Sequence, residues 1–262
     1  MKIRINGMEL AYDLMGSQKP AIVLLHGYGL NRSIWQELAS NHLYDQQVLM
    51  LDMRGHGESD VTSGPYLMAL LAEDLAQLLE FLGLSNAIVC GHSMGGYAAL
   101  AFAEGYPDKL AGLGLITTNA RADSEEKRRG RYALINQIKE EGSIAVAESL
   151  APRLSRDPAV IRLSHDMICQ TDPAGLIGAA EGMAERPDRM RLLAAIHVPA
   201  LVVAGEADQI TNLADAKLMA DYLPHSTFLQ ISNAGHMPML ETADELGRGL
   251  WSLVEGVQAT FL

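Results

Sequence analysis

Two cysteines are all that 262 residues contain, and neither belongs to a C-x-x-C pair or has a histidine at ligand spacing. That argues against a disulfide framework, and Cys90, inside an apolar run, reads as a small buried hydrophobe, with Cys169 on a later helical segment. The eight histidines form no H-E-x-x-H pattern. No calcium loop is present either, and the glycine-rich stretches lack both the phosphate-loop ending and the dinucleotide spacing, so no metal and no cofactor are expected. Positive charge is scarce: 20 Lys and Arg against 32 Asp and Glu leave a net charge of −12. Nucleic acid and anionic membrane would be repelled, and neither is an expected partner. No apolar run is long enough to span a bilayer. Met1 to Asn6 passes into a strand-like alternation rather than a secretory hydrophobic region, which makes the cytoplasm the expected location. Internal repeats and low-complexity tracts are missing too, and nothing sets an oligomeric state.

What the chain does have is 48% hydrophobic residues with only 20% charged ones, enough apolar material for a sizeable core. Strand and helix signals alternate, as in a mainly parallel sheet with helices on both faces, an α/β class. Lys2 to Asn6 and Glu9 to Leu14, split by Asn6-Gly7, predict a hairpin. Ala21 to Leu25, Gln47 to Asp52 and Leu110 to Thr117 predict strands. Helices are expected at Arg32 to Ala39, Leu67 to Leu82, Leu213 to Tyr222 and Ala243 to Val257; the stripe Leu71, Leu75, Leu78, Leu79, Leu82 has helical spacing and marks core. From Thr118 to Val198 the alternation stops, and short amphipathic segments punctuated by Gly142, Pro152, Pro158, Pro173 and Pro187 follow. We read residues 118–198 as an inserted helical cap between two core segments, 1–117 and 199–262, lying over the strand ends where open α/β sheets bind ligands.

The most informative segment is Cys90-Gly91-His92-Ser93-Met94-Gly95-Gly96. It fits G-x-S-x-G, entered from apolar Ala87 to Cys90 and left through helix-forming Tyr97 to Glu104, the context of a nucleophile elbow. Small neighbours are needed for so sharp a strand-to-helix turn, and Gly91 and Gly95 supply them. A serine hydroxyl is a poor nucleophile unless a base takes its proton and a carboxylate orients that base. Downstream, the strand-like Pro199 to Gly205 leads into a loop with Glu206 and Asp208; Asp208 is the chosen acid and Glu206 the fallback. Ser226 to Ser232 is another strand-like run, followed by Asn233-Ala234-Gly235-His236, and His236 is the expected base. The backbone N–H of Met94, at the start of the elbow helix, is a natural oxyanion donor.

The order Ser, acid, His, together with Leu25-His26-Gly27-Tyr28-Gly29 and Asp52-Met53-Arg54-Gly55-His56-Gly57-Glu58-Ser59, resembles the α/β-hydrolase superfamily over nearly the whole chain. That resemblance implies an α/β-hydrolase fold, a second oxyanion donor at the Tyr28 N–H, and a scaffold role for Arg54 and His56. His26, Gly27 and His92, beside the two loops, join Met167 and Leu176 of the cap as candidate substrate contacts. Met167, Ile168, Leu176, Ile177 and Met183 have spacing that suits either a pocket lining or cap core. The cluster Lys127, Arg128, Arg129, Arg131 is read first as a solvated helix face, and second as the source of an inward Arg that holds a substrate carboxylate. The second reading matters because elbow, cap and length are similar to those of 3-oxoadipate enol-lactonases. The expected activity is cofactor-independent hydrolysis of a small-molecule ester or lactone through an acyl-enzyme on Ser93. Acyl transfer, C–C bond hydrolysis and ligand sensing are the alternatives that the same fold carries.

Overall fold

The first fifteen residues set the antiparallel edge of the sheet. β1 (Lys2–Ile5) and β2 (Met8–Met15) pair antiparallel, joined by Asn6 and Gly7 at φ 44° and 76°, the left-handed pair that a two-residue hairpin favours. In the computed structural model, which describes residues 1–260, β2 also pairs antiparallel with β4 (Gln46–Leu51). All later pairings are parallel, through β3 (Gln18–Leu25), β5 (Ala87–His92), β6 (Leu110–Ile116), β7 (Ala200–Gly205) and β8 (Ser226–Ile231). The strand order is β1-β2-β4-β3-β5-β6-β7-β8. Residues 21–25 and all of β5, β6 and β7 are buried, which is why these strands read as continuous apolar runs rather than alternations.

Two helical layers cover the sheet. α1 (Gln36–His42) packs with α11 (Ala243–Thr260), while α2 (Met68–Phe81) packs with α3 (Met94–Gly105), which lies on β3, β5 and β6. Leu71, Leu75, Leu78 and Leu79 are buried, each contributing about 1.5–3 kcal/mol of transfer free energy. The helix expected at 32–39 begins instead as a 3-10 turn over Arg32–Trp35, capped by Asn31, before α1. Arg54 and His56 are scaffold. Arg54 clasps Asp74 through two hydrogen bonds of 2.7 and 2.9 Å, and burial pushes the His56 imidazole down to about 3, so it stays neutral.

β6 and β7 are hydrogen-bonded neighbours, yet five helices intervene in sequence: α4 (Glu125–Glu141), α5 (Ile144–Leu154), α6 (Pro158–Gln170), α7 (Pro173–Ala184) and α8 (Met190–Leu193). Pro158 and Pro173 open their helices behind Asp157 and Asp172, whose carboxylates accept the Ala159 and Ala174 N–H groups, the expected use of proline at a helix start. Pro152 does not punctuate; it lies inside the last turn of α5. The remaining helices, α9 (Leu213–Tyr222) and α10 (Pro238–Glu241), follow β7 and β8. Among the described residues no helix is long and apolar enough to cross a membrane.

Candidate active site

Ser93 stands between β5 and α3 at φ 52°, ψ −114°, a conformation that L-residues avoid and that persists only where the surroundings over-determine it. The surroundings do. A Cβ at Gly91 would fall 2.1 Å from the Gly95 carbonyl oxygen, and one at Gly95 would fall 2.5 Å from that of Leu25; both obstacles are backbone and cannot step aside. The Ser93 N–H donates to Ile116 O at 3.0 Å. Thr118 Oγ1 donates to Ser93 O at 2.7 Å. The side chain is thus thrust away from the sheet while its own backbone is pinned.

Asp208 and His236 come from the loops after β7 and β8, and their side chains are 2% and 1% exposed, so the pair is buried. His236 Nδ1 donates to Asp208 Oδ2 at 2.9 Å, which leaves Nε2 as the basic nitrogen. The other carboxylate oxygen, Oδ1, accepts the Ile210 and Thr211 N–H groups at 2.7 and 3.1 Å, and the Thr211 hydroxyl also donates to Oδ2. Burial alone would raise the Asp208 carboxyl. The hydrogen bond and charge of His236, with Thr211 and Ile210, outweigh burial and hold it below the usual carboxylate range. Glu206 is exposed and its side chain takes no part.

Ser93 and His236 line one cavity of about 90 Å³, walled by Tyr28, Leu30, His92, Tyr97, Arg131, Leu150, Leu154, Met183 and Ile210. A hydroxyl, an imidazole and an oriented carboxylate around one cavity are the parts that nucleophilic acyl chemistry needs. The N–H groups of Tyr28 and Met94 flank the elbow, and among the described residues neither donates to a turn, loop or side-chain acceptor. The Tyr28 hydroxyl is committed elsewhere, donating to Leu176 O at 3.1 Å.

The other candidate contacts separate. His92 reaches the cavity, but its Nε2 donates to His236 O at 2.9 Å; burial drives its pKa well below the ordinary value. Gly27 lies against that ring, where a Cβ would come within 2.7 Å of His92 Nδ1. His26 is fully buried, accepts the Met53 N–H on Nε2 at 2.9 Å, and is lowered to about 4 by burial. Leu176 is buried under Tyr28, and Met167 lines a different cleft beside Arg32 and Asp52. Met183 is the member of that apolar set that lines the cavity at Ser93.

Of the basic cluster, Arg128 is exposed and pairs with Glu185 at 2.6 Å, whereas Arg131 turns inward. Arg131 lines the cavity at Ser93 and, with Tyr28, Tyr97, Leu150 and Ile210, an adjoining one of about 370 Å³ whose wall includes Lys127, Arg153 and Arg186. Its guanidinium donates to Asp123, and its Nη1 rests 3.4 Å from the Met183 sulfur, a weak acceptor. Arg186, only 6% exposed, donates to the same Asp123 at 2.8 Å and stacks 4.1 Å over the Tyr97 ring. Burial would raise the Asp123 carboxyl, but Arg131 and Arg186 hold it below the usual range. One carboxylate between two guanidiniums leaves this cluster with one more positive charge than it has carboxylates. Arg186, Thr211 and Asp123 carry no direct sequence signal, although a threonine three residues after a loop aspartate is a recurrent way to brace a carboxylate.

Comparison with known proteins agrees with this architecture. A 3-oxoadipate enol-lactonase of Acinetobacter baylyi is 30% identical over 242 residues, covering 89% of this chain and 88% of its own. Among solved structures, an esterase of Thermogutta terrifontis, determined with malate bound, superposes with a TM-score of 0.93 at 36% identity, covering 98% of both chains. The enol-lactonase of Burkholderia xenovorans gives 0.90 at 28% identity, covering 97% of this chain and all of its own. Residues 22–248 match the model of the alpha/beta hydrolase family, and the chain belongs to that family.

Proposed function

We propose that this protein is a carboxylic-ester hydrolase that works through an acyl-enzyme on Ser93, beneath a cap formed by residues 118–198. His236 Nε2 takes the Ser93 proton as Oγ attacks the carbonyl carbon, and Asp208 keeps the imidazole in the tautomer that can do so. The N–H groups of Tyr28 and Met94 receive the developing oxyanion, an interaction of the kind that contributes about 3–4 kcal/mol per donor. The imidazolium then delivers its proton to the departing alcohol oxygen. Water, activated by the same imidazole, attacks the acyl carbon and releases the acid. In a lactone the departing oxygen stays tethered to the acyl group, and the sequence of bonds is the same.

The substrate class we infer is an ester or lactone whose far end carries a carboxylate, received by Arg131 with Arg186 behind it. The observation that carries this is the inward guanidinium sharing one cavity with Ser93 and His236. The names of the relatives, enol-lactonase and esterase, support the ester or lactone part of this reading. The experiment is rapid-mixing hydrolysis of p-nitrophenyl esters. A burst of one phenolate per enzyme is expected, and Ser93→Ala should lose turnover by a factor on the order of 10⁴ or more. A variant that turns over like the parent refutes the assignment.

A further inference from the structure

His236 is not on a strand or helix; it hangs on the loop between β8 and α10, and a loop holds a side chain only as well as it is itself held. Its peptide is gripped from two sides. The carbonyl accepts from His92 Nε2 at 2.9 Å and from Thr117 Oγ1 at 3.0 Å, both at the ends of core strands. The N–H donates to Leu154 O at 2.9 Å, at the end of α5 in the cap. A third anchor brackets the residue. Glu241, on α10, turns its carboxylate back so that Oε2 accepts the N–H groups of Gly235 and Met237, at 2.8 and 3.3 Å, the residues on either side of His236. Its Oε1 accepts the hydroxyl of Ser155, the residue that ends α5.

We infer that Glu241 is a positioning residue for His236, and that through Ser155 it makes alignment of the imidazole conditional on the cap being seated. The inference rests on the reading of His236 as the general base. A carboxylate that accepts two amides makes charge-assisted bonds, stronger than neutral ones, and pins the loop on either side of His236. Ser155 Oγ itself accepts the Asp157 N–H at 3.0 Å, so the hydroxyl is fixed by the junction between α5 and α6 and moves with it. Leu154 also lines the cavity at Ser93. Displacing this corner of the cap removes the partner of the His236 N–H and one partner of Glu241 in the same motion. The core contacts from His92 and Thr117 remain, holding the loop without holding its register.

The test compares turnover of p-nitrophenyl acetate per active site, titrated with a phosphonate, for Glu241→Gln, Ser155→Ala, the double variant and His236→Ala, with thermal midpoints alongside. A misplacement near 1 Å costs up to roughly 10²-fold, so Glu241→Gln should lower kcat by about 10- to 100-fold while KM stays within about twofold. Ser155→Ala, which deletes the hydroxyl's bond to Glu241 and its bond from the Asp157 N–H but leaves the Leu154 carbonyl in place, should lower kcat by a smaller factor with only a small drop in midpoint. The double variant should fall no further than Glu241→Gln, because the hydroxyl acts through the carboxylate. If Ser155→Ala turns over like the parent, or the two losses multiply, the coupling is wrong. If Glu241→Gln lowers the midpoint but not turnover per titrated site, Glu241 is only structural. These outcomes leave the base assignment standing so long as His236→Ala is inactive; an active His236→Ala overturns the base and the inference together.

Discussion

Arg131→Met is the most discriminating perturbation of the proposed substrate class, because methionine keeps much of the side-chain volume and removes only the charged fork. In the parent, Arg131 faces the cavity at Ser93 with one nitrogen against the Met183 sulfur, a partner too weak to satisfy it. A substrate carboxylate there would gain charge-assisted hydrogen bonds, each contributing about 1.5–3 kcal/mol. At about 1.4 kcal/mol per tenfold change, losing one such contact lowers kcat/KM by roughly 10- to 100-fold. Asp123 is not stranded by the change, since Arg186 still donates to it at 2.8 Å. The assay is a matched pair, p-nitrophenyl hemisuccinate and p-nitrophenyl butyrate, which differ in the terminal carboxylate. General damage cancels in the ratio of their kcat/KM values. Parent enzyme should favour the hemisuccinate, and Arg131→Met should collapse that preference mainly by losing the charged substrate. An unchanged ratio, or equal loss on both substrates, refutes the carboxylate reading.

Three other expectations follow from the geometry. Asp208→Asn keeps the shape of the site but lets the wrong imidazole tautomer form, so kcat should fall on the order of 10⁴-fold with the fold intact by circular dichroism; a loss below tenfold would remove Asp208 from the mechanism. Stability should drop on mild acidification, because His26 and His56, lowered by burial to about 4 and about 3, stay neutral in the folded chain while the unfolded chain takes up protons below about 6.5. Each contributes stability that is complete above that value and is lost as pH falls towards the folded pKa, about 2 kcal/mol apiece between roughly pH 7 and pH 5; a flat denaturation midpoint over that interval would contradict their neutrality. Gly95→Ala should cost at least about 1–3 kcal/mol, because the added carbon meets the Leu25 and His26 carbonyl oxygens at 2.5 and 2.7 Å. A parental melting temperature for Gly95→Ala would show the elbow looser than described.

The features legible in the sequence are those that local sterics or periodicity dictate. The close approach at Gly91 and Gly95, the Asn6-Gly7 turn and the all-apolar strands follow from rules that act over a few residues; Ser93, Asp208 and His236 are candidates from loops that follow strand-like runs, and the fold brings His236 against Asp208 and onto one cavity with Ser93. What could not be read depends on how separate helices meet. Lys127, Arg128, Arg129 and Arg131 look alike in sequence, and the turn of α4 alone decides that Arg131 faces Ser93 while Arg128 meets solvent. Leu176 and Met167 satisfy the same apolar periodicity as Met183, yet α7 turns Leu176 under Tyr28, and α6 carries Met167 to a separate cleft. Glu241 gave no signal, because its partners lie on a loop and on the far side of the insertion.

Because β6 and β7 pair directly, the strands that bracket residues 117–199 are already neighbours in the sheet, and exchanging that segment would leave the strand order as it is. The exchange is not free of conditions. Any graft has to return a carbonyl to the spot now held by Leu154 and a hydroxyl to that of Ser155, so only donors ending a helix at that corner should yield chimaeras that are active as well as folded.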